Sequence, residues 1–500
     1  MKELRRNHVS LAAAASLLAL ACGGSGGGGA ASPAGATTGS GPVQSASARA
    51  KPNLVFILTD DLDVETTSHM PKLQAFMAGV GTTFTNSFAS NPVCCPSRAT
   101  MLRGQYSHNH GVWSNGRGNN TCFDDFRAAG NEASTVATWL RTAGYRTALV
   151  GKYLNRYPMV RSGVVNDTYI PPGWDDWFVV FNRDFNSDSY FDYSANDNGK
   201  VVTFGSSEAD YETDVVATRA IDFIKKNAGA APLFLWIATT APHAPSEPAR
   251  RHIFSHADKR APRSPNFNLR DISSKPRWYR DNLRLLSAAE ITDLDGTYKR
   301  RVETMQAVDD LVEKVLLALD AAGQLGNSYV FFTSDNGYMN GNHRFPSGKD
   351  APYEESIKVP LVVRGPGVPT GVTLPHDVSN IDLAPTFAEL GQAQAPAFID
   401  GRSLASLLTS SPTPLSSWRQ DVLLEHEPAD TNGLPSWFAL RSSREKYVDY
   451  PANPEEEYYD LVNDPFETES KHRAIDAAKR AQLRARLSQL RGCAGATCRQ

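Results

Sequence analysis

The sequence predicts an α/β fold: a doubly wound, mostly parallel central sheet flanked by helices, followed by a smaller C-terminal antiparallel sheet with a helix. Three observations carry this. Continuous apolar runs bounded by turn residues recur along the chain, the form taken by strands buried on both faces. Between them lie apolar residues at helical spacing. After about Gly401 the runs become short and closely spaced.

The first run, 53–58, lies between Pro52 and Asp60. Others follow at 146–150, 233–239, 329–333 and 359–363. From 302 to 319, residues Val302, Met305, Val308, Val312, Val315 and Leu319 fall three and four apart, on one helix face. Strands alternating with helices give a doubly wound sheet, and such sheets bind ligands beyond the carboxyl ends of their strands. Residues 155–214, rich in Asn, Asp, Gly and Tyr, are expected to form surface excursions near the mouth of a site. Short strands are expected at 422–425, 437–441, 446–449 and 457–461, and a last helix at 475–490.

The chain has 500 residues, 41% hydrophobic and 21% charged, with a formal net charge of −3. That balance suits one large domain with a smaller appendage and gives no reason to expect a nucleic-acid partner or a polybasic membrane contact. Lys2, Arg5 and Arg6 precede an apolar run that ends at Cys22 and is too short to span a bilayer. Residues 1–22 therefore read as an export signal. Leu18-Ala19-Leu20-Ala21-Cys22 resembles a lipoprotein cleavage box, with a plain signal peptide as the alternative. Residues 23–48, chiefly Gly, Ala and Ser, form a flexible linker; a catalytic domain follows over 49–400 and a C-terminal subdomain over 401–500. The expected location is periplasmic or cell-surface through a lipid anchor, otherwise secreted. Of six cysteines, Cys493 and Cys498 are the first candidates for a bridge.

The chemistry gathers after the apolar runs. Asp60 and Asp61 follow the first. Asp335 and Asn336 follow the run at 329–333. Three carboxylates and an amide make an all-oxygen set, which suits Ca²⁺, with Mg²⁺ as the alternative, rather than zinc. In the segment from Pro92 to Gly104, Pro96 can occupy the first position of a helix running to about Arg103. The residues just before it would then sit at a helix N-terminus, which favours an anion.

Cys94-Cys95-Pro96-Ser97-Arg98 resembles the Cys-x-Pro-Ser-Arg signature of the type I sulfatases, in the alkaline-phosphatase-like superfamily. Met101-Leu102-Arg103-Gly104 parallels the signature's usual Leu-Thr-Gly ending, with Arg103 in place of Thr. The resemblance implies that Cys94 is converted to formylglycine by a formylglycine-generating enzyme and joins Asp60, Asp61, Asp335 and Asn336 around the metal. It implies that Arg98, Lys152 of Gly151-Lys152-Tyr153-Leu154-Asn155, and Lys349 contact the sulfate. His243 of Ala241-Pro242-His243 implies an acid for the leaving group, with Lys349 as a second. Many members carry a His two residues after the first Lys. Here Leu154 stands there, with Asn155 a candidate for part of that role. In the mechanism this implies, a hydroxyl of hydrated formylglycine attacks sulfur with Asp335 as base, and the second hydroxyl then expels sulfate.

The motifs are most similar to those of N-acetylglucosamine-6-sulfatases, so the implied substrate is a sulfated carbohydrate or other sulfate ester. His108 and His110 are candidates for the sugar side of the pocket, with a plain surface role as the alternative. The rival readings are an aryl sulfatase, a phosphate or phosphonate monoester hydrolase, and a non-catalytic glycan-binding lipoprotein.

Overall fold

The computed structural model describes residues 51–116, 122–160, 166–182, 189–427 and 434–500. The expected leader, Cys22 and the linker lie outside the described residues. Fourteen described strands run in chain order as β1 (Asn53–Thr59), β2 (Thr82–Phe88), β3 (Arg146–Gly151), β4 (Asp176–Phe181), β5 (Ser194–Asp197), β6 (Lys200–Thr203), β7 (Leu233–Ala238), β8 (Ser328–Ser334), β9 (Leu361–Arg364), β10 (Val372–Ser379), β11 (Val422–His426), β12 (Trp437–Arg441), β13 (Glu445–Tyr450) and β14 (Glu455–Asp460). The first ten form one sheet in the order β10-β2-β9-β8-β1-β7-β3-β4-β5-β6, and the last four form a separate antiparallel sheet.

Strand β1 lies between β7 and β8, parallel to both, with every residue buried. Its alternate side chains enter two different cores, as the period of two demands. Leu54, Phe56 and Leu58 join Trp236, Phe331 and Phe387 on one face. Val55 and Ile57 meet Leu235, Ile237 and Phe332, with Val308, Leu311 and Val315 of the long helix, on the other. That helix spans Ala288–Ala321, well beyond the expected 302–319. Its first turns are mostly exposed, but Leu294 and Tyr298 continue the buried face to Val302 in a small cluster of their own, and Ser287 starts the helix, its hydroxyl accepting from the Glu290 N–H in a capping box.

Two further expectations need correction. Strand β9 begins at Leu361, after Pro360, and is antiparallel to both β2 and β8. Proline cannot donate to a ladder, so the strand starts beyond it. Residues 155–214 are not only surface excursions, because β4, β5 and β6 extend the sheet by three strands. Trp177 and Val179 pack into one core and Phe178 into the other. Beside β11–β14, the helix Ala477–Arg491 buries Leu483, Leu487 and Leu490 against Leu423, Phe438, Leu440 and Tyr447. Cys493 and Cys498 form a disulfide, as their spacing suggested.

Strand β3 ends on Gly151, where φ is +113° and an added Cβ would meet the Ala238 carbonyl oxygen of β7 at 1.8 Å. Only glycine tolerates both conditions. Gly151→Ala is expected to cost about 3 kcal/mol or more in urea denaturation. An unchanged midpoint would show that the backbone can relax there.

Candidate active site

Strands β1, β3, β7 and β8 each lead into a polar group at this edge. The registers Leu58↔Ala238 and Thr59↔Ser334 keep the ends of β1, β7 and β8 level, so Asp60, Asp61 and Asp335 emerge side by side. Arg98 comes from the helix Cys94–Arg103, on the turn that faces these ends. The helix begins at Cys94 rather than at Pro96, so Pro96 is its third residue, still within the first turn, where no N–H is required. Val93 is its N-cap.

The carboxylates and cations are buried together. The Arg98 Nε donates to Asp335 Oδ2 at 2.8 Å, and its Nη2 to Asp60 Oδ2 at 3.4 Å. The Lys152 ammonium rests on Asp60 and the Lys349 ammonium on Asp61. Lys349 Nζ is also 2.6 Å from Cys94 Sγ, and the thiol donates to Asp60 Oδ1 at 3.2 Å. Asp61 has φ of 65° and is pinned at both ends: its N–H donates to Asp335 Oδ1 at 3.2 Å, and its carbonyl accepts from Arg301. His243 Nδ1 contacts the Ala244 carbonyl at 2.8 Å, and its Nε2 stands 3.7 Å from Asp61 Oδ2.

Burial shapes the proton affinities. It opposes ionisation of Asp60, but Lys152, His243, Arg98 and Lys349 outweigh it and hold this carboxyl well below the usual range. Asp335 is pushed up to about 6 by burial and by Asp60. Burial also pushes the Cys94 thiol well up, and Asp60 adds to the effect.

Donor atoms of Asp60, Asp61, Cys94 and Asp335 all lie within 4.8 Å of one another, close enough to share a metal ion. Asn336 Nδ2 donates to Asp61 Oδ1 at 2.7 Å, while its Oδ1 is buried without a hydrogen-bond partner. An orphaned amide oxygen beside three carboxylates fits a hard divalent cation.

The nine residues expected to hold the metal or contact the ester (Asp60, Asp61, Cys94, Arg98, Lys152, His243, Asp335, Asn336 and Lys349) therefore gather beyond the carboxyl ends of the strands. Residues 52–393 match the Sulfatase family model. The chain belongs to the sulfatase family. Residues 341–492 also match the N-sulphoglucosamine sulphohydrolase C-terminal model. The N-acetylglucosamine-6-sulfatase of Homo sapiens is 33% identical over 489 residues, covering 91% of this chain and 87% of that protein. An extracellular sulfatase Sulf-1 homolog of Caenorhabditis elegans is 36% identical over 408 residues, 79% of this chain; the chain spans 54% of that relative's length. The structure of BT4656 in complex with its substrate D-glucosamine-2-N,6-O-disulfate shares the fold, with a TM-score of 0.74 at 23% identity over 88% of this chain and 97% of that one. This sulfatase is accordingly a sulfuric ester hydrolase.

Other candidates of the sulfatase fall elsewhere. Leu154 packs into the core beside the sheet, and Asn155 Oδ1 is buried without a hydrogen-bond partner. His108 binds Glu425 Oε2 at 2.8 Å and the Cys493 carbonyl at 3.0 Å, so it ties the chain end to the main body. His110 is buried between Thr100 Oγ1 at 3.0 Å and the Val112 N–H at 3.1 Å. These contacts make both histidines internal supports rather than a sugar-facing surface; the sequence spacing carried no information about the Glu425 and Thr100 partners.

Two supports were not foreseen. Cys95 and Cys122 form a disulfide that ties the first turn of the Cys94 helix to the helix Cys122–Ala128. Arg301, fully buried on the long helix, binds the carbonyls of Asp61 and, at 3.3 Å, Pro242. It lies 3.6 Å from Asp63 and stacks 3.7 Å from the Tyr338 ring. One guanidinium thus holds the loops after β1, β7 and β8. The available signal was a basic residue directly before the apolar face that starts at Val302.

Arg301→Met should strand buried acceptors and cost about 3 kcal/mol in chemical denaturation; stability equal to the parent would dismiss the clamp. His110 yields a pH prediction. Burial, then Arg103 and His108, depress it from 6.5 to about 3, so the unfolded chain binds the extra proton between these values. Stability from this residue is complete above 6.5 and is lost as pH falls toward 3, about 2 kcal/mol of it by pH 5. In His110→Gln the stability difference between pH 7 and pH 5 should shrink by about that amount, and a difference as large as the parent's would rule His110 out as the cause.

Proposed function

We propose that this sulfatase releases sulfate from a sulfated carbohydrate of the N-acetylglucosamine 6-sulfate type, with formylglycine at position 94 and Ca²⁺ held by Asp60, Asp61, Asp335, Asn336 and residue 94. The observation that carries it is the single buried cluster in which the Cys94-x-Pro-Ser-Arg98 segment meets four oxygen-bearing side chains. Ca²⁺ is preferred to Mg²⁺ because the donors are protein groups in a buried site, whereas Mg²⁺ keeps several waters. The likeness to N-acetylglucosamine-6-sulfatases over nine-tenths of the chain supports the substrate class.

When present, the metal and the hydrated aldehyde supply a polarised sulfuryl group and a nucleophile whose second hydroxyl lets sulfate depart. The protein's own groups do the rest. Arg98, Lys152 and Lys349 present N–H donors and positive charge to the sulfuryl oxygens. Asp335, fixed by Arg98 and the Asp61 N–H, lies within 4.8 Å of residue 94 and, with its proton affinity raised to about 6, is the base assigned here, because Asp60, though nearer, is held well below the usual carboxyl range. His243, with Nδ1 tied to a carbonyl, offers Nε2 as the proton donor to the leaving alkoxide, and Lys349 is the alternative donor.

Maturation then needs a formylglycine-generating enzyme in the host. Residues 1–22 and 23–48 act as export signal and tether, with acylation at Cys22 holding the enzyme at the cell surface or in the periplasm; without it the enzyme is secreted. The catalytic domain extends over 49–400 and the C-terminal subdomain over 401–500.

The test is the mass of the Cys94 peptide from the native host, together with sulfate release from N-acetylglucosamine 6-sulfate. Sulfur replaced by a carbonyl oxygen, with turnover that chelation abolishes and Ca²⁺ restores, is expected. Cys94→Ser in a host that modifies only cysteine should fold and lose turnover. Full activity in that variant, or an intact thiol in active enzyme, would refute the nucleophile; faster release from a matched phosphate ester would refute the substrate class.

A further inference from the structure

A second cavity of about 500 Å³ lies beside the loops of the catalytic cluster. Asp63, two residues beyond Asp61, lines it and accepts from Asn340 Nδ2 at 3.3 Å. Its wall also includes Lys358, Arg441, Glu355, Asn342, Tyr338 and Phe466. None of these has a role in the chemistry above.

Lys358 is half-buried, and its ammonium makes no hydrogen bond or ion pair with any described residue. Burial lowers its proton affinity; Glu354 opposes this, and Arg441 and Lys446 reinforce it. Arg441, close by in charge, is already engaged with both oxygens of Glu354. On the acceptor side, Glu355 Oε2 is buried without a hydrogen-bond partner, and His343 Nε2 at 3.8 Å is too far to serve. A half-buried cation with no hydrogen bond or ion pair of its own is open to an anion at the cavity wall. A ligand that brings an anion to Lys358 and hydroxyls to the polar groups beside it matches this wall. Phe466, 39% exposed, and Tyr338 add aromatic surface to the same wall. Aromatic rings interspersed with planar polar side chains suit a sugar, whose apolar face stacks while its hydroxyls bond at the rim.

We infer that this cavity is a second carbohydrate site, which takes an acidic sugar unit, a uronate or a further sulfated residue, of the same chain whose sulfate ester is cleaved. The inference rests on the reading that the substrate is a sulfated carbohydrate. It makes the enzyme a reader of chain context as well as of the ester.

Binding can be measured by calorimetry in the full chain carrying Cys94→Ala, which prevents turnover. The probes are N-acetylglucosamine 6-sulfate, a tetrasaccharide of alternating 6-sulfated glucosamine and uronate, and its carboxyl-reduced form. The tetrasaccharide should bind about tenfold or more tightly than the monosaccharide, and Lys358→Met should remove most of that gain. Phe466→Ala, at an exposed position, should do the same and guards against a folding defect at Lys358. Loss of the gain on carboxyl reduction identifies the uronate as the group bound, and its retention identifies a sulfate. Equal affinity for monosaccharide and tetrasaccharide, or a gain that survives both substitutions, overturns the second site alone. Binding of neither probe overturns the carbohydrate reading with it.

Discussion

The constraint on which the structure depends is the burial of Asp60, Asp61 and Asp335 within a few ångströms of one another. Three carboxylates confined at low dielectric repel strongly, and an uncompensated buried charge costs on the order of 3–5 kcal/mol. The protein answers with Arg98, Lys152 and Lys349, so the formal charges of the six groups cancel. Arg98 is the central member, because its planar fork reaches Asp335 and Asp60 at once and also donates to the Lys152 carbonyl at 3.0 Å. A lysine at position 98 could neutralise charge but could not span three loops. The parallel sheet supplies the alignment that makes such a compact set reachable, since its strands end level along one edge.

The same constraint explains why a small antiparallel sheet is packed beside the large one. Lys349 lies on an irregular segment, and that segment is held from the C-terminal side. Trp437 Nε1 donates to the Asp350 carbonyl at 2.7 Å, Lys446 Nζ to the Pro352 carbonyl at 2.7 Å, and Arg441 binds both oxygens of Glu354. Lys446 and Arg441 are themselves nearly inaccessible to water, which makes these contacts strong and their loss costly. Strands β12 and β13 therefore act on the site through residues 350–354, without supplying any of the clustered charges themselves. On the opposite side, Arg301 and the long helix hold Asp61, Pro242 and Tyr338, so the cluster is braced from both flanks.

Much of this was readable in the sequence, and the reason is local. Asp60, Asp61, Asp335 and Asn336 directly follow apolar runs whose burial the composition announces, and Cys94 to Arg98 is one contiguous motif. What could not be read depends on separation and on context. Arg301 bonds a carbonyl 240 positions away, and on a helix a buried arginine has the same spacing as an exposed one. Cys122 lies 27 residues from Cys95, and vicinal cysteines carry no mark of which one pairs. Pro360 moves the start of β9 to Leu361, but the direction of β9 follows from tertiary pairing, which an apolar run does not show. Strands β4 to β6 were obscured by the Asn, Asp and Gly around them, which announce turns more loudly than Trp177 and Val179 announce a strand.

The charge balance also bears on how substrate is received. Lys152 and Lys349 rest on Asp60 and Asp61, two of the carboxylates that would hold the proposed Ca²⁺. A dication added to the neutral cluster would give it two positive charges. Beside those lysines, the anion that would answer this excess is the sulfate ester. A monoanionic ester cancels half of the excess, whereas a sulfate dianion would cancel all of it. The arrangement therefore favours charge building up on the sulfuryl oxygens as the ester is cleaved, which is the direction electrostatic catalysis requires. It also implies that free sulfate is held tightly, so that product release competes with chemistry for control of the rate.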